Sequence, residues 1–301
     1  MASKSESPEI QQATKELEEI SKEIESPQVV ETSSGENSSD EEIKSSNEDK
    51  SQDEESSSSE SSESSDNEDS PTKKIKQKPR IYLDLDNTLL HAIPTRLFHK
   101  KYKDKASKRR IAEALSNIKV YDMKDDDESY YLVFERPGLQ QFLDYLFSNF
   151  TVCVWTAATK DYAAFIIDKM LLSKPDRKLD YVFVQYHCKK SKKRYGKRHP
   201  KELKMLIDHY KLPDMNDKNC IIIDDHPDVK SQQPHLCVTA PEWTIFDEDS
   251  IELKKDAMKD DFLSKVSKGL EDYLKEFQLK GEIDNPSEII TPKSSSIVLT
   301  T

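Results

Sequence analysis

Short, wholly apolar segments recur along the second part of the chain, and amphipathic helical patterns separate them. Such segments begin at Ile81, Val152 and Cys220, and a helical pattern that opens at Pro137 lies between the first two. Strands that alternate with helices in this way favour a parallel sheet with both faces covered. We therefore predict an α/β fold with a central parallel sheet flanked by helices.

The formal net charge of −12 divides into two parts of opposite sign. Residues 1–70 contain 22 Asp and Glu against 5 Lys and Arg, whereas residues 71–301 contain 36 against 41. The first part also has 21 serines and no aromatic residue, so it lacks the apolar surface that would offset the entropy of ordering. We predict four regions: a disordered acidic tail at 1–70, a basic linker at 71–79, a folded domain at 80–280 with a basic insertion at 92–129, and a flexible C-terminal tail at 281–301.

The tail contains a possible phosphorylation pattern and the linker a possible nuclear-import pattern, and each has a second interpretation. Serines next to acids at 38–42 and 56–69 suit acid-directed kinases, although a solvated spacer is an equal interpretation. The basic cluster at 73–80 is either a nuclear-import signal or the charged lead-in to the first strand. We expect a nuclear location, with a cytoplasmic one as the alternative.

Apolar runs and cysteines argue against membrane insertion and against a disulfide framework. No apolar run approaches the roughly 20 residues that span a bilayer, so no contact with a membrane is expected. The chain has 4 cysteines, widely separated and without a C-x-x-C pair. We expect buried, reduced thiols in a reducing compartment and no zinc site.

Carboxylates directly follow two of the apolar segments. Asp84 and Asp86 come after the first strand, and Asp224 and Asp225 follow three isoleucines. Because ligands of parallel sheets bind at the carboxyl ends of the strands, these acids are expected in one pocket. Four carboxylates repel one another unless a cation neutralises them, and Mg²⁺ prefers oxygen ligands together with a substrate phosphate.

Two further residues complete a pattern for phosphoryl transfer. Thr156 ends the strand that begins at Val152, and Lys201 lies at the start of a predicted helix from Pro200 to Tyr210. One carboxylate could attack phosphorus, a second could protonate the leaving alcohol, and Thr and Lys could hold the phosphate oxygens. Each residue alone is more often a turn, a cap or a surface lysine, whereas their order along the chain is specific.

This order resembles the haloacid dehalogenase (HAD) superfamily, and within it the FCP/SCP-type, NLI-interacting-factor-like phosphatases of the RNA polymerase II carboxy-terminal domain. The similarity covers about residues 78–246, and these segments carry it: Asp84 to His91, Arg136 to Gly138, Trp155 to Ala158, Lys201 to Leu203, and Ile223 to Asp225. The resemblance implies a Rossmann-like HAD fold with a small basic insertion after the first motif.

The resemblance also implies a role for each acid of the pocket. Asp84 would be the nucleophile and a metal ligand, and Asp86 the general acid and base with its backbone carbonyl on Mg²⁺. Asp225 would complete the metal site, and Asp224 would support it or the lysine.

The same resemblance places three residues around the phosphate. Thr88 would position the loop beside the phosphate, while Thr156 and Lys201 would bind it. The stretch from Lys201 to Asp224 is long for the family, so Lys197 remains an alternative for the lysine.

The function that follows is a Mg²⁺-dependent protein serine/threonine phosphatase with a phospho-aspartyl intermediate. Its expected partner is a phosphoprotein, with RNA polymerase II carboxy-terminal-domain-like peptides favoured. Two alternatives stay open: a small-molecule phosphatase, if the insertion at 92–129 forms a lid, and a catalytically weak phosphopeptide-binding adaptor.

The insertion and the run at 189–198 are both basic, which predicts a positive rim that attracts phosphorylated peptides. A solvated loop is the plain alternative. A nucleic-acid partner is disfavoured because the run offers Tyr195 alone for base stacking. The acidic tail could also fold back on this rim and compete with substrate.

Overall fold

The computed structural model describes residues 77–125 and 128–292. The predicted acidic tail, the linker up to residue 76 with most of the basic cluster, and residues 293–301 lie outside the described residues. The described strands are β1 (Arg80–Leu83), β2 (Leu90–Pro94), β3 (Val120–Asp125), β4 (Glu128–Glu135), β5 (Thr151–Trp155), β6 (Val182–Phe183), β7 (Cys220–Asp224) and β8 (Cys237–Thr239). The described α-helices are α1 (Thr95–Lys101), α2 (Lys105–Ala114), α3 (Leu139–Asn149), α4 (Lys160–Ile166), α5 (Gln185–Tyr195), α6 (Pro227–Gln232), α7 (Phe262–Lys280) and α8 (Pro286–Ile290).

A parallel sheet with the order β6-β5-β1-β7-β8 forms the centre of the fold. Alternate residues of β1 enter different cores: Ile81 and Leu83 join the cluster that includes α3 and α7, whereas Tyr82 packs with Trp155 on the opposite face. Since both faces are buried, the strands read as continuous apolar runs. The predicted α/β fold with a flanked parallel sheet is confirmed.

The predicted insertion contributes to a second, antiparallel sheet with the order β2-β4-β3. From the sequence we expect a short helix at 111–118 in this insertion; the structure has α2 there, which begins earlier, at Lys105. The carboxylate of Asp104 accepts hydrogen bonds from the N–H groups of Ala106 (3.1 Å) and Ser107 (2.9 Å), so the helix starts early.

Two expectations for the region after Lys189 change. The plain alternative for the basic run at 189–198, a solvated loop, is wrong for most of the run, because residues up to Tyr195 belong to α5. The helix expected from Pro200 to Tyr210 is a π-helical turn, Met205–His209, preceded by two helical residues. The backbone N–H groups just before this turn bind side chains instead of helix carbonyls: Glu202 N–H donates to Ser191 Oγ (3.1 Å) and Leu203 N–H to Gln233 Oε1 (3.1 Å).

The C-terminal predictions also change. From the sequence we expect a last helix at 250–278; in the structure this helix begins only at Phe262, after a 3₁₀ turn at Lys255–Lys259. The flexible tail predicted from residue 281 is wrong for 281–292, where Ile283 and Ile290 are buried in the main core. The reason is the packing of α8 on α7: Gly269 of α7 lies so close to α8 that a Cβ there would be 2.2 Å from the carbonyl oxygen of Ile290.

The cysteines follow the prediction, since all four are buried and unpaired with one another. Burial raises the pKa of Cys153 and Cys220, each to about 12, which keeps both thiols protonated and inert. Across residues 77–125 and 128–292, no helix has both the length and the apolar character that crossing a membrane requires.

Candidate active site

A tight turn follows β1 and positions the first two acids. The N–H of Asp84 donates to Ile223 O of β7 (3.0 Å), which continues the sheet by one residue. The carbonyl of Leu85 then accepts from the N–H groups of Leu89 (2.8 Å) and Leu90 (3.2 Å). Asn87 closes this turn with a φ of 59°, a left-handed conformation that asparagine tolerates better than most residues.

Lys201 reaches the same place from the other side. Its ammonium nitrogen lies 2.6 Å from Asp84 Oδ1 and 2.7 Å from Asp224 Oδ2. The side chains are almost fully withdrawn from water, with exposed fractions of 4% for Lys201, 9% for Asp84 and 0% for Asp224. A buried charge cluster of this kind is stable only while its members stay paired.

The electrostatics of this cluster follow from burial and from charge. Burial alone would lower the pKa of Lys201, but the carboxylates of Asp224 and Asp84 outweigh it and raise the pKa above its ordinary value. Burial raises the pKa of Asp84, and the nearby Asp224 charge adds to this while Lys201 opposes it. The lysine therefore stays charged, and Asp84 needs positive charge beside it to remain ionised.

Thr88 links the β1 turn to the end of β7. Its hydroxyl donates to Asp225 Oδ1 (2.9 Å) and accepts from the N–H of Asp225 (3.1 Å). Thr88 therefore orients the carboxylate of Asp225 and joins the turn to the end of β7.

Three acids lie close enough together to hold one metal ion. One carboxylate oxygen from each of Asp84, Asp224 and Asp225 lies within 4.8 Å of the others. Both oxygens of Asp224 are occupied, since Oδ2 contacts Lys201 and Oδ1 accepts from the N–H of His226 (2.9 Å). Asp84 and Asp225 each keep an oxygen without a partner among residues 77–125 and 128–292. The donor set therefore fits a hard cation such as Mg²⁺, with Asp84 and Asp225 as its carboxylate ligands.

Asp86 is partly buried and has its own partner. Tyr162 of α4 donates its hydroxyl to Asp86 Oδ1 at 2.6 Å. Burial raises the pKa of Asp86, and the Tyr162 hydrogen bond and the charge of Lys201 oppose this only in part. A carboxyl group with a raised pKa is suited to donate a proton. Tyr162 was not among the predicted site residues, because the sequence alone does not show that α4 turns it toward Asp86.

The structure places Thr156 at the sheet edge that carries the acids and Lys197 outside the pocket. Thr156 is fully buried at the carboxyl end of β5, next to β1, and its hydroxyl accepts from the N–H of Ala158 (3.1 Å). It lies at the correct sheet edge without contacting the acids. Lys197 is exposed, whereas Lys201 contacts Asp84, so the geometry selects Lys201 as the lysine of the pocket.

A buried arginine, Arg136, holds the turn after β1 by hydrogen bonds. Arg136 donates through Nη1 to the carbonyls of Thr88 (2.9 Å) and Pro241 (3.0 Å). Its Nε and Nη2 bind both oxygens of Asp260, at 2.7 and 2.8 Å. Arg136 belongs to one of the motifs in the sequence, but this role could not be predicted from it, since Asp260 is 124 residues away.

The histidines beside the acids have supporting positions. His91 is buried and accepts from the N–H of Ile245 (3.2 Å), and burial lowers its pKa to about 4, so it is neutral near pH 7. His226 caps α6 by accepting from the N–H of Asp228 (3.1 Å).

Comparison with known proteins places this arrangement of acids and lysine in a family. Residues 80–276 match the family described as NLI interacting factor-like phosphatase, which is well over half of the chain. The chain belongs to this family. Membership confirms the resemblance to FCP/SCP-type phosphatases of the HAD superfamily.

Relatives of this chain occur in viruses. The CTD phosphatase-like protein 355R of Invertebrate iridescent virus 6 is 41% identical over 172 residues, 56% of this chain and 88% of that protein. Its counterpart in Invertebrate iridescent virus 3 is 36% identical over 202 residues, 65% of this chain and 97% of that protein. Among solved structures, Fcp1, described as an essential RNA polymerase II CTD phosphatase, has 17% identity and a TM-score of 0.49 over 71% of this chain and 70% of its own.

Proposed function

We propose that the protein is a Mg²⁺-dependent serine/threonine phosphatase that forms a phospho-aspartyl intermediate on Asp84. The observation that carries the proposal is the buried cluster in which Lys201 lies 2.6 Å from Asp84 and 2.7 Å from Asp224. A carboxylate held at a sheet edge beside a fixed cation has the position of a nucleophile for an anionic substrate. Membership of a phosphatase family supports this reading.

In the first step a carboxylate oxygen of Asp84 attacks phosphorus, and the bond from phosphorus to the serine or threonine oxygen breaks. Asp86 gives its proton to the departing oxygen, which leaves as an alcohol. Lys201 and Thr156 hold the phosphate oxygens during the transfer. For this role Lys201 shares its ammonium group between Asp84 and the incoming phosphate.

In the second step Asp86, now ionised, takes a proton from water, and that water oxygen attacks phosphorus of the aspartyl phosphate. The bond to Asp84 breaks, and inorganic phosphate leaves. Asp84, Asp225 and the backbone carbonyl of Asp86 would hold the Mg²⁺ ion, which would supply positive charge for the phosphate and for Asp84. Asp224 holds Lys201 in place and is not a ligand.

The proposed substrate is a phosphorylated peptide of the RNA polymerase II carboxy-terminal domain type. Two viral relatives with the name CTD phosphatase-like support this choice, and their matches extend over 88% and 97% of those proteins. The exposed cations of α5, which ends shortly before Lys201, would favour an extended anionic peptide over a neutral one.

The test compares kcat/KM for a phosphoserine peptide of this repeat with values for sugar and nucleotide phosphates, in Mg²⁺ and after metal removal. We expect at least about tenfold preference for the peptide, and no turnover without divalent metal. Asp84→Asn should lower kcat on an aryl phosphate by about 10³-fold or more. The matched control is Asp168→Asn, since Asp168 is an exposed acid on the π-helical turn that follows α4.

The outcomes separate the parts of the proposal. A preference for small phosphates would remove the peptide substrate and retain the chemistry. Unchanged hydrolysis by Asp84→Asn, or full activity without metal, would refute the mechanism. Tight binding of the phosphopeptide without turnover would instead identify an adaptor.

A further inference from the structure

Helix α5 and the turn after it carry an unusual density of positive charge. The segment 185–198, called here the basic α5 segment, has no acidic residue. Its cations are Lys189, Lys190, Lys192, Lys193, Arg194, Lys197 and Arg198. All are exposed. Like charges three or four residues apart on a helix destabilise it, so this density carries an energetic cost.

The described part of the chain leaves these charges unneutralised. No Asp or Glu among residues 77–125 and 128–292 forms an ion pair with the basic α5 segment. Lys190 lies over the ring of Tyr186 (5.2 Å) and Arg194 over that of Tyr195 (5.9 Å), contacts that hold the cations on the surface without cancelling their charge. Around α1 and α2, by contrast, two of the exposed cations have acidic partners, since Lys101 pairs with Glu252 and Arg109 with Glu113.

The basic α5 segment is also held firmly against the domain. Cys188 and Ser191 are its buried residues. The hydroxyl of Ser191 donates to His199 O (2.6 Å) and accepts from the N–H of Glu202, next to Lys201. The cations therefore form a fixed surface near the pocket, able to bind an anionic chain without a large ordering cost of its own.

A complementary anion occurs in the same chain. Residues 33–70 contain 14 Asp and Glu, 2 Lys and 16 serines, a net charge of −12. Arg80, the first residue of β1, pairs with Asp180 (2.8 Å) and lies over the ring of Tyr181 (5.5 Å). The chain thus enters the fold beside the strand that leads into α5. Nine residues, the number in 71–79, span at most about 30 Å. Since α5 is about 16 Å long, a linker of this length is long enough to bring the acidic segment to α5.

We propose that the basic α5 segment is a docking surface for the acidic segment 33–70 of the same chain. Tethering raises the effective concentration of the acidic segment to the millimolar range, which favours it over a separate anionic partner. Contacts between exposed charges weaken as the Debye length shrinks, to about 3 Å at 1 M salt. Docking does not depend on the proposed phosphatase function.

Zero-length carbodiimide cross-linking of the full-length chain tests the proposal, because it joins carboxylates to lysines in direct contact and does not measure hydrolysis. An equal mixture of ¹⁴N- and ¹⁵N-labelled protein at low concentration distinguishes contacts within a chain from contacts between chains. We expect cross-links between segment 33–70 and Lys189, Lys190, Lys192 or Lys193 within one isotope. These should fall at least tenfold in 1 M NaCl.

Two variants with equal charge change provide the comparison. K189Q/K190Q/K192Q/K193Q should release the acidic segment, seen as at least threefold faster cleavage after its glutamates by a Glu-specific protease. K100Q/K103Q/K105Q/R110Q, all exposed on the other basic region, should leave the cleavage rate unchanged. Should the first variant not fold, E54Q/E55Q/E60Q/E63Q tests the same contact from the acidic side, by loss of the α5 cross-links.

The remaining outcomes would overturn the proposal. Cross-links confined to the lysines of 73–78 would place the acidic segment on its own linker. Links to α1 or α2 would identify the other basic region. Mixed-isotope links would indicate a second copy, and equal protease cleavage in both lysine variants would mean that no docking occurs.

Discussion

Lys201 lies between two buried carboxylates, and each of its contacts is shorter than 2.8 Å. The surrounding side chains exclude water, so the three charges depend on one another. From its motif, Lys201 is expected to bind phosphate. The contacts give it a second task, which is to keep Asp84 and Asp224 compatible with burial.

Replacing the lysine should therefore affect stability as well as catalysis. We expect Lys201→Met to lower the free energy of unfolding by about 3–5 kcal/mol, because it leaves two carboxylates buried without a cation. K201M/D224N removes one of these charges and should recover part of the stability without any recovery of activity. Urea unfolding without divalent metal, together with aryl phosphate hydrolysis, measures both. If the double variant is no more stable than the single one, the lysine does not balance Asp224.

At the scale of elements, the turn after β1 is held by chain segments that are far apart in sequence. Arg136, just after β4, binds the turn at Thr88 O and the segment before α7 at Asp260. The same Asp260 explains why α7 begins at Phe262, since its side chain also accepts from the N–H of Phe262 (3.2 Å). The start of α7 and the shape of the turn after β1 are thus coupled.

This coupling predicts that Arg136→Lys lowers both stability and kcat, since a lysine cannot bind Asp260 with two nitrogens and reach Thr88 as well. We expect a loss of about 2–4 kcal/mol and about tenfold in kcat, with faster hydrogen exchange at residues 86–90. The matched control is Arg177→Lys. Arg177 is another buried arginine, paired with Asp144 at 2.7 Å, and it has no contact with the turn.

Arg177→Lys should lower stability by a similar amount and leave kcat unchanged. A comparable loss of kcat in both variants would show that Arg136 acts only through general stability.

The contact between α7 and α8 gives a prediction with an unexpected sign. Helix propensity alone says that Gly269→Ala stabilises a helix by about 1 kcal/mol. The new methyl group would meet the backbone of Ile290 at 2.2 Å, so we expect destabilisation by about 1–3 kcal/mol instead. Ser264→Ala, at an exposed position of the same helix, is the control and should stabilise slightly. Urea midpoints decide the sign, and a stabilised G269A would mean that α8 does not pack on Gly269.

For the whole molecule, a metal ion held by the acids at the sheet edge would link metal binding to folding. A cation that binds the native pocket and not the unfolded chain stabilises the native state, by about 2.7 kcal/mol at one hundred times its dissociation constant. We expect MgCl₂ to raise Tm by several degrees over NaCl of equal ionic strength. Asp225→Asn should reduce this increase, because it removes one of the two carboxylates with a free oxygen. An equal increase in both proteins would argue against Asp225 as a ligand.

The sequence by itself determined the sheet, the order of its strands along the chain, and the residues at its carboxyl edge. Apolar runs can be buried on both faces, and carboxylates that end such runs have few places to lie except a shared edge. These are local patterns with a period of a few residues, and for this reason Asp84, Asp86, Asp224 and Asp225 could be predicted without coordinates.

Only the tertiary structure decided the contacts that join distant segments. Tyr162 on Asp86, Arg136 between Thr88 and Asp260, the choice of Lys201 over Lys197, and the packing of α8 on Gly269 all depend on which surfaces meet. No local sequence pattern encodes such a contact, because the contact contributes free energy only when both segments are already folded side by side. For the same reason residues 281–292 could not be predicted to fold, since their apolar residues are few and become buried only against α7.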